Sequence, residues 1–198
     1  PQVTGNIRLG IPSEFSTTLM PKIIRRFTQT YPEISLEVHC ALSKDLLSEP
    51  LKSQFDLILS LQETPDPQQD GYIISDQLVW VGSQRFVNSV PVKLPIIAAP
   101  SPCIYRKRAT NLLSAIKKPW QVVYTIADLN GIQTAINEGL GITVLAKSSV
   151  PPGLHVLSNS ESLPELGHVG VCLVNPQKVS SKAISLLTET ITNEVANF

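Results

Sequence analysis

The chain has 198 residues, 42% of them hydrophobic, and its 16 basic and 16 acidic side chains leave no formal net charge. That length can bury one large core or two of about 100 residues each. The neutral balance argues against a free-standing nucleic-acid binder, which needs a basic excess to neutralise phosphates, and no apolar stretch nears the about 20 residues of a membrane-spanning helix.

The elements alternate strand, helix, strand. Asn6 to Ile11 alternates polar and apolar residues at period two, a strand that Pro12-Ser13 breaks. Phe15, Leu19, Ile23 and Phe27 recur every four residues, which predicts a helix over Ser13–Thr30 with one apolar stripe, kinked or started by Pro21 and ended by Tyr31-Pro32. Ile34, Leu36, Val38 and Cys40 alternate with polar residues as a second strand. Ser43 is the expected N-cap of a short helix from Lys44 to about Ser53. Phe55 to Leu59 is the apolar run of a buried central strand, and parallel neighbours with helical crossovers explain this order.

A polar loop from Gln62 to Gly71 follows, then strands at Tyr72–Ile74 and Leu78–Val81. Pro95–Ala99 is a strand stopped by Pro100-Ser101-Pro102, and Arg106 to Ile116 is a basic-faced helix. Gln121–Ile126 is the next strand. The helix after it places Leu129, Ile132 and Ile136 on one face, with Gly139 and Gly141 at its end. Ile142–Leu145 and His168–Val174 are strands, Pro151-Pro152-Gly153 is a turn, and Ser180–Ala196 is a closing helix with a stripe of Ile184, Leu187, Ile191 and Val195. The strand-helix rhythm occurs twice, before Leu61 and from Ile96 to Leu145. An α/β fold of two lobes is therefore expected: residues 1–78 plus 168–198 as lobe I, and 79–167 as lobe II.

In open α/β sheets ligands sit beyond the carboxyl ends of the strands, where helices begin. Four such ends stand out: Pro12, Ser13 and Phe15; Leu42 and Ser43; Pro100 and Ser101; and Thr125, Ile126 and Ala127. Helix starts favour an anion, whereas Glu14 and Asp128 nearby oppose a strongly anionic ligand. Taken singly, Ser13, Ser43 and Asp128 read as ordinary helix caps. Cys103, just before Arg106, Lys107 and Arg108, has the cationic setting that makes a thiol reactive, although a small buried residue lining the site is the favoured reading. Cys40 and Cys172 read as core and His39 as a solvated strand residue, and Trp80 and Trp120 read as core packing.

The three cysteines are far apart, which argues against a disulfide framework and favours a reducing cytoplasm. His39, His155 and His168 make no metal pattern, and no nucleophile elbow, phosphate loop or dinucleotide fingerprint is present. No catalysis, cofactor or metal is expected. The opening Pro1-Gln2-Val3 lacks an initiator Met, so a fragment of a longer protein is expected.

Together these segments resemble the effector domain of LysR-type transcriptional regulators. Thr4 to Ile11 looks like that family's first strand, and Phe15, Leu19, Pro21, Phe27, Tyr31 and Pro32 look like its first-helix signature. Phe55 to Leu59 is similar to its "DLAL" strand and Glu138 to Ile142 to its "AGLGI" turn. Leu78 to Gly82, Pro102 to Arg106 and Pro151 to Leu154 resemble the LrhA/HexA-like branch, from which Ile126-Ala127-Asp128 departs. The resemblance implies a type 2 periplasmic-binding-protein-like fold whose cleft takes a small-molecule effector at Pro12, Ser13, Phe15, Leu42, Ser43, Pro100, Ser101, Cys103, Thr125, Ile126 and Ala127. It also implies homodimers or tetramers, DNA binding only through a separate N-terminal winged helix-turn-helix, and no membrane contact. Cys103 resembles in position the peroxide-sensing cysteine of redox-responsive members, but no second cysteine lies in the helix after it. A periplasmic solute-binding protein of a transporter is the alternative on the same fold.

Overall fold

The computed structural model describes residues 2–157 and 162–198; Pro1, noted above for the missing initiator, lies outside them. The chain divides into two compact units, Pro1–Ser75 with Val169–Phe198, and Asp76–His168.

Unit 1 is built on β1 (Gly5–Ile11), β2 (Ile34–Cys40) and β3 (Leu57–Gln62), with β9 (His168–Val174) entering from the far end of the chain. β1 pairs in parallel with β2, from Gly5↔Ile34 to Ile11↔Cys40, and with β3, at Leu9↔Leu57 and Gly10↔Ile58. β9 runs antiparallel to β3, from Ile58↔Val174 to Gln62↔Gly170. β1 and β3 are interior strands of the sheet, so residues on both of their faces are buried. Ile7, Leu9, Ile11, Leu57 and Leu59 are buried with Phe15, Leu19, Ile23 and Phe27, the stripe read from the sequence. Leu46, Phe55 and Ile58 form a second buried cluster, and a Cβ at Gly10 would meet Leu46 at 2.9 Å.

The first helical stretch is two helices, α1 (Ser13–Thr18) and α2 (Met20–Thr30), with Pro21 in the first turn of α2, where a missing N–H costs no hydrogen bond. The closing helix α6 (Lys182–Ala196) lies against β1 and α2, capped by the Ser181 hydroxyl, which accepts from the Ile184 N–H at 3.1 Å. Arg26 on α2 and Glu194 on α6 pair at 2.7 Å. The helix expected after residue 43 is only the single turn α3 (Ser43–Leu46), followed by a 3-10 turn at Lys52–Gln54. β2 also departs from expectation. Only Ile34 is buried in it, because β2 is the edge strand, and Val38 and Cys40 are exposed. Cys40 is thus not a core residue.

In unit 2, β5 (Leu94–Ala98) and β6 (Trp120–Thr125) pair in parallel from Leu94↔Trp120 to Ala98↔Thr125, with a bulge between Ile96 and Ile97. β7 (Thr143–Ala146) pairs antiparallel with β4 (Tyr72–Gly82), whose end also takes the short β8 (His155–Val156). The two strands expected at Tyr72–Ile74 and Leu78–Val81 are this one strand. It continues through the polar Ser75-Asp76-Gln77 because the Asp76 carboxylate is satisfied: it accepts a short hydrogen bond from the Ser148 hydroxyl. Trp80 is buried, its indole N–H donating to Pro164 O at 2.9 Å, whereas Trp120 is only half-buried and donates to the Ser114 hydroxyl.

Two helices, α4 (Ile104–Ala115) and α5 (Leu129–Asn137), fill this unit and bury Leu113, Leu129, Ile132 and Ile136. α5 ends in a Schellman motif. Gly139, at φ +74, donates to Ile136 O at 2.9 Å, and Leu140 donates to Ala135 O at 3.1 Å. Gly141 serves a different need, since a Cβ there would stand 2.5 Å from Pro95 O and disrupt the seam with β5.

Ile191 is fully buried on α6. We expect Ile191→Ala to lose about 2–5 kcal/mol of unfolding free energy, read as a lower denaturant midpoint with an unchanged slope.

Candidate functional site

The candidate residues fall at the carboxyl ends of two parallel strand pairs, one in each unit. In unit 1, Ile11 opposite Cys40 sets Pro12 beside Ala41, and Ala41 N–H donates to Ile11 O at 3.3 Å. Pro12, not Ser13, is the N-cap of α1; its carbonyl accepts from Phe15 and Ser16 N–H, and the cap makes no side-chain hydrogen bond. Ser13 is instead the first helical residue and is half-buried. Leu42, likewise, is the N-cap of α3. Ser43 is buried, and its hydroxyl accepts from Leu61 N–H at 3.0 Å, so it ties α3 to the end of β3 rather than capping the helix. Phe15 is fully buried, its ring stacked on Phe198 at 6.1 Å and 16°. Its part at this end is to hold the first turn of α1 in place.

In unit 2, Ala98 opposite Thr125 places Pro100-Ser101 beside Ile126-Ala127, and Ile126 N–H donates to Ala98 O at 3.0 Å. Ser101, Thr125 and Ala127 are exposed, and Pro100 and Ile126 half-buried. Cys103 is buried as the N-cap of α4, its Sγ accepting from Arg106 N–H at 3.5 Å. Asp128 does cap α5, accepting from Gly131 N–H at 2.9 Å.

Sequence reasoning missed Arg106 as a member of this cluster. It is half-buried on α4, and its guanidinium donates back to Ala99 O at 3.3 Å, which sets a cation at the carboxyl end of β5. The signal was its place three residues after the cap of a helix that follows a strand end. Among the described residues, no group of His, Cys, Asp and Glu could hold a metal ion, and no helix is long and apolar enough to cross a membrane.

Two buried ionisable groups stand out. Burial raises the Asp76 carboxyl above its ordinary 3.8, against the opposing hydrogen bonds from Ser148 and Gln77 and the field of His168. Burial, helped by the charge of Asp66, pushes the Cys172 thiol up to about 11.

The family model described as LysR substrate binding domain matches residues 1–196. The chain is 26% identical to the HTH-type transcriptional regulator DgdR of Burkholderia cepacia over 190 residues, 96% of this chain and 64% of that protein. It is 27% identical to the HTH-type transcriptional regulator PecT of Dickeya dadantii over 165 residues, 83% of this chain and 52% of that one. The chain thus spans between about half and two thirds of these relatives. Among solved structures, the CcmR regulatory domain of Synechocystis PCC6803, in complex with 2-PG, superposes with a TM-score of 0.71 at 16% identity, covering 98% of this chain and 99% of that one. The fold is of the periplasmic-binding-protein-like type 2 class, as expected.

Two measurements test the placement of these groups. In the native protein a thiol reagent should modify exposed Cys40 first and reach Cys172 only on unfolding, as read by mass spectrometry of timed samples. A raised folded-state value for Asp76 favours the fold below pH 3.8, and that contribution is lost as pH rises through the folded value. The stability advantage of the parent over Asp76→Asn should therefore shrink as pH rises above 3.8, as measured by denaturant titration at each pH.

Proposed function

This chain belongs to the LysR substrate-binding domain family, and from that we propose that it is the effector-sensing part of a longer transcriptional regulator. The observation that carries the reading is the family match across residues 1–196. The strand-end clusters provide the chemistry. Pro12, Ser13, Leu42 and Ser43 in unit 1, and Pro100, Ser101, Cys103, Thr125, Ile126 and Ala127 in unit 2, are the proposed effector contacts. Phe15 supports them from beneath.

The effector is a small organic molecule. Hydroxyls at Ser101 and Thr125 orient it, and the Arg106 guanidinium favours a ligand with one acidic group. The CcmR structure holds 2-PG, and a small organic acid is a reasonable first probe for this chain too. Binding biases one arrangement of paired protomers over another, and a helix-turn-helix segment elsewhere in the full protein reads that bias at DNA. The protomers pair with α1 and α2 of one against α5 of the other, in the cytoplasm, and the chain itself catalyses nothing. The likeness to the LrhA/HexA-like branch, carried by Leu78–Gly82, Pro102–Arg106 and Pro151–Leu154, is part of this proposal. A solute-binding role in a transporter is not favoured, because the relatives are transcriptional regulators.

A thermal-shift screen of small organic acids should find a ligand that raises the unfolding temperature. At 100 times its Kd, such a ligand adds about 2.7 kcal/mol. Ser101→Trp should abolish that shift while leaving the ligand-free unfolding temperature nearly unchanged, since Ser101 is exposed. A confirmed ligand that stabilises Ser101→Trp equally would remove this cluster from the site.

A further inference from the structure

The neutral overall charge hides a local imbalance. From residue 77 to residue 127 the chain has no Asp or Glu, yet it carries Arg85, Lys93, Arg106, Lys107, Arg108, Lys117 and Lys118. The three arginines are turned onto backbone carbonyls: Arg85 onto Gly139 at 3.3 Å, Arg106 onto Ala99, and Arg108 onto Leu166 at 2.7 Å. Lys93, Lys117 and Lys118 are placed differently. Lys93 directly precedes β5, and Lys117-Lys118 lead into β6. The pairing Leu94↔Trp120 and the hydrogen bond from Leu94 N–H to Pro119 O, 2.9 Å, bring the two leads together. This is the amino end of the strand pair, opposite the end that carries Ser101 and Thr125. Among the described residues no acidic side chain pairs with any of these three lysines.

Each lysine site adjoins an exposed aliphatic residue. Val92, at 79%, precedes Lys93, and Ile116, at 54%, precedes Lys117; these are the most exposed large apolar side chains among the described residues. The backbone adds an independent observation. α4 ends in the same Schellman motif as α5, with Lys117 N–H donating to Ser114 O at 3.1 Å and Lys118 N–H to Leu113 O at 2.9 Å. The left-handed position is glycine in α5 but lysine in α4, at φ 56. A side chain there is disfavoured relative to glycine. The helix dipole accounts for cations at the end of α4, but not for a lysine at that one strained residue, for Lys93, or for the two aliphatics.

We propose that the amino end of the β5–β6 pair, with Lys93, Lys117, Lys118, Val92 and Ile116, docks an acidic protein segment that interleaves carboxylates with aliphatic side chains. Carboxylates meet the lysines, and the aliphatics cover Val92 and Ile116. Nucleic acid fits less well, because each planar guanidinium fork suited to phosphate is already bonded to a backbone carbonyl and two apolar side chains stand in the patch. The site stands apart from the effector reading and from its residues.

The test uses fluorescence anisotropy with a labelled synthetic peptide of alternating glutamate and leucine, a glutamate-only peptide of equal length, and a DNA duplex of arbitrary sequence. The alternating peptide should bind most tightly and weaken with added salt. Lys93→Glu with Lys118→Glu should weaken it about tenfold, and Val92→Asp should weaken it as well. Lys117→Gly is the sharper variant: it should bind the peptide less well yet unfold at an equal or higher temperature. The proposal is overturned if the alternating peptide does not bind, if the lysine variants bind it unchanged, or if the duplex binds more tightly. It is equally overturned if sedimentation shows that the lysine reversals change only self-association, which would make a second copy the occupant.

Discussion

Parallel pairing governs where the chemistry of this chain can lie. Parallel strands cannot be joined by a tight hairpin, so each needs a crossover, and every strand then points its carboxyl end to the same edge of its sheet. In unit 1 this brings Pro12 and Ala41 together past Ile11 and Cys40, and in unit 2 it brings Pro100 and Ile126 together past Ala98 and Thr125. The candidate contacts are neighbours in space because of that rule, although 29 positions separate Pro12 from Ala41.

Much of this was legible because burial follows period. The Phe15-Leu19-Ile23-Phe27 stripe, the stripe of α6, the cap at Asp128 and the glycine after α5 each follow from spacing within one element, and each is found where expected. What failed depended on a neighbour from elsewhere in the chain. β2 alternates as neatly as β1, yet its apolar residues are largely exposed, because alternation cannot tell an edge strand from a central one. Ser43 reads as a cap until the Leu61 N–H claims its hydroxyl. The polar interruption in β4 reads as a gap between two strands until Ser148 meets Asp76.

Charge shows the same limit on a larger scale. A net charge of zero is a sum over two units that differ: unit 1 holds eleven acidic and eight basic residues, and unit 2 holds five and eight. Composition alone argued against a free-standing nucleic-acid binder, whereas residues 77–127 carry seven basic side chains and no acidic one. The two ends of the β5–β6 pair consequently differ in kind. One presents hydroxyls and small side chains, and the other presents lysines beside exposed aliphatics.

Unit 1 is discontinuous: β9 and α6 complete it, and they are the last regular elements of the chain. Synthesis runs from the amino end, so β1, β2 and β3 leave the ribosome long before α6, which packs against β1. Unit 2 is contiguous and emerges whole while its partner still lacks a wall. An apolar sheet therefore stays open while residues 76–168 are being made. Damage to α6 strikes the unit that holds residues 1–75, not the unit made just before α6.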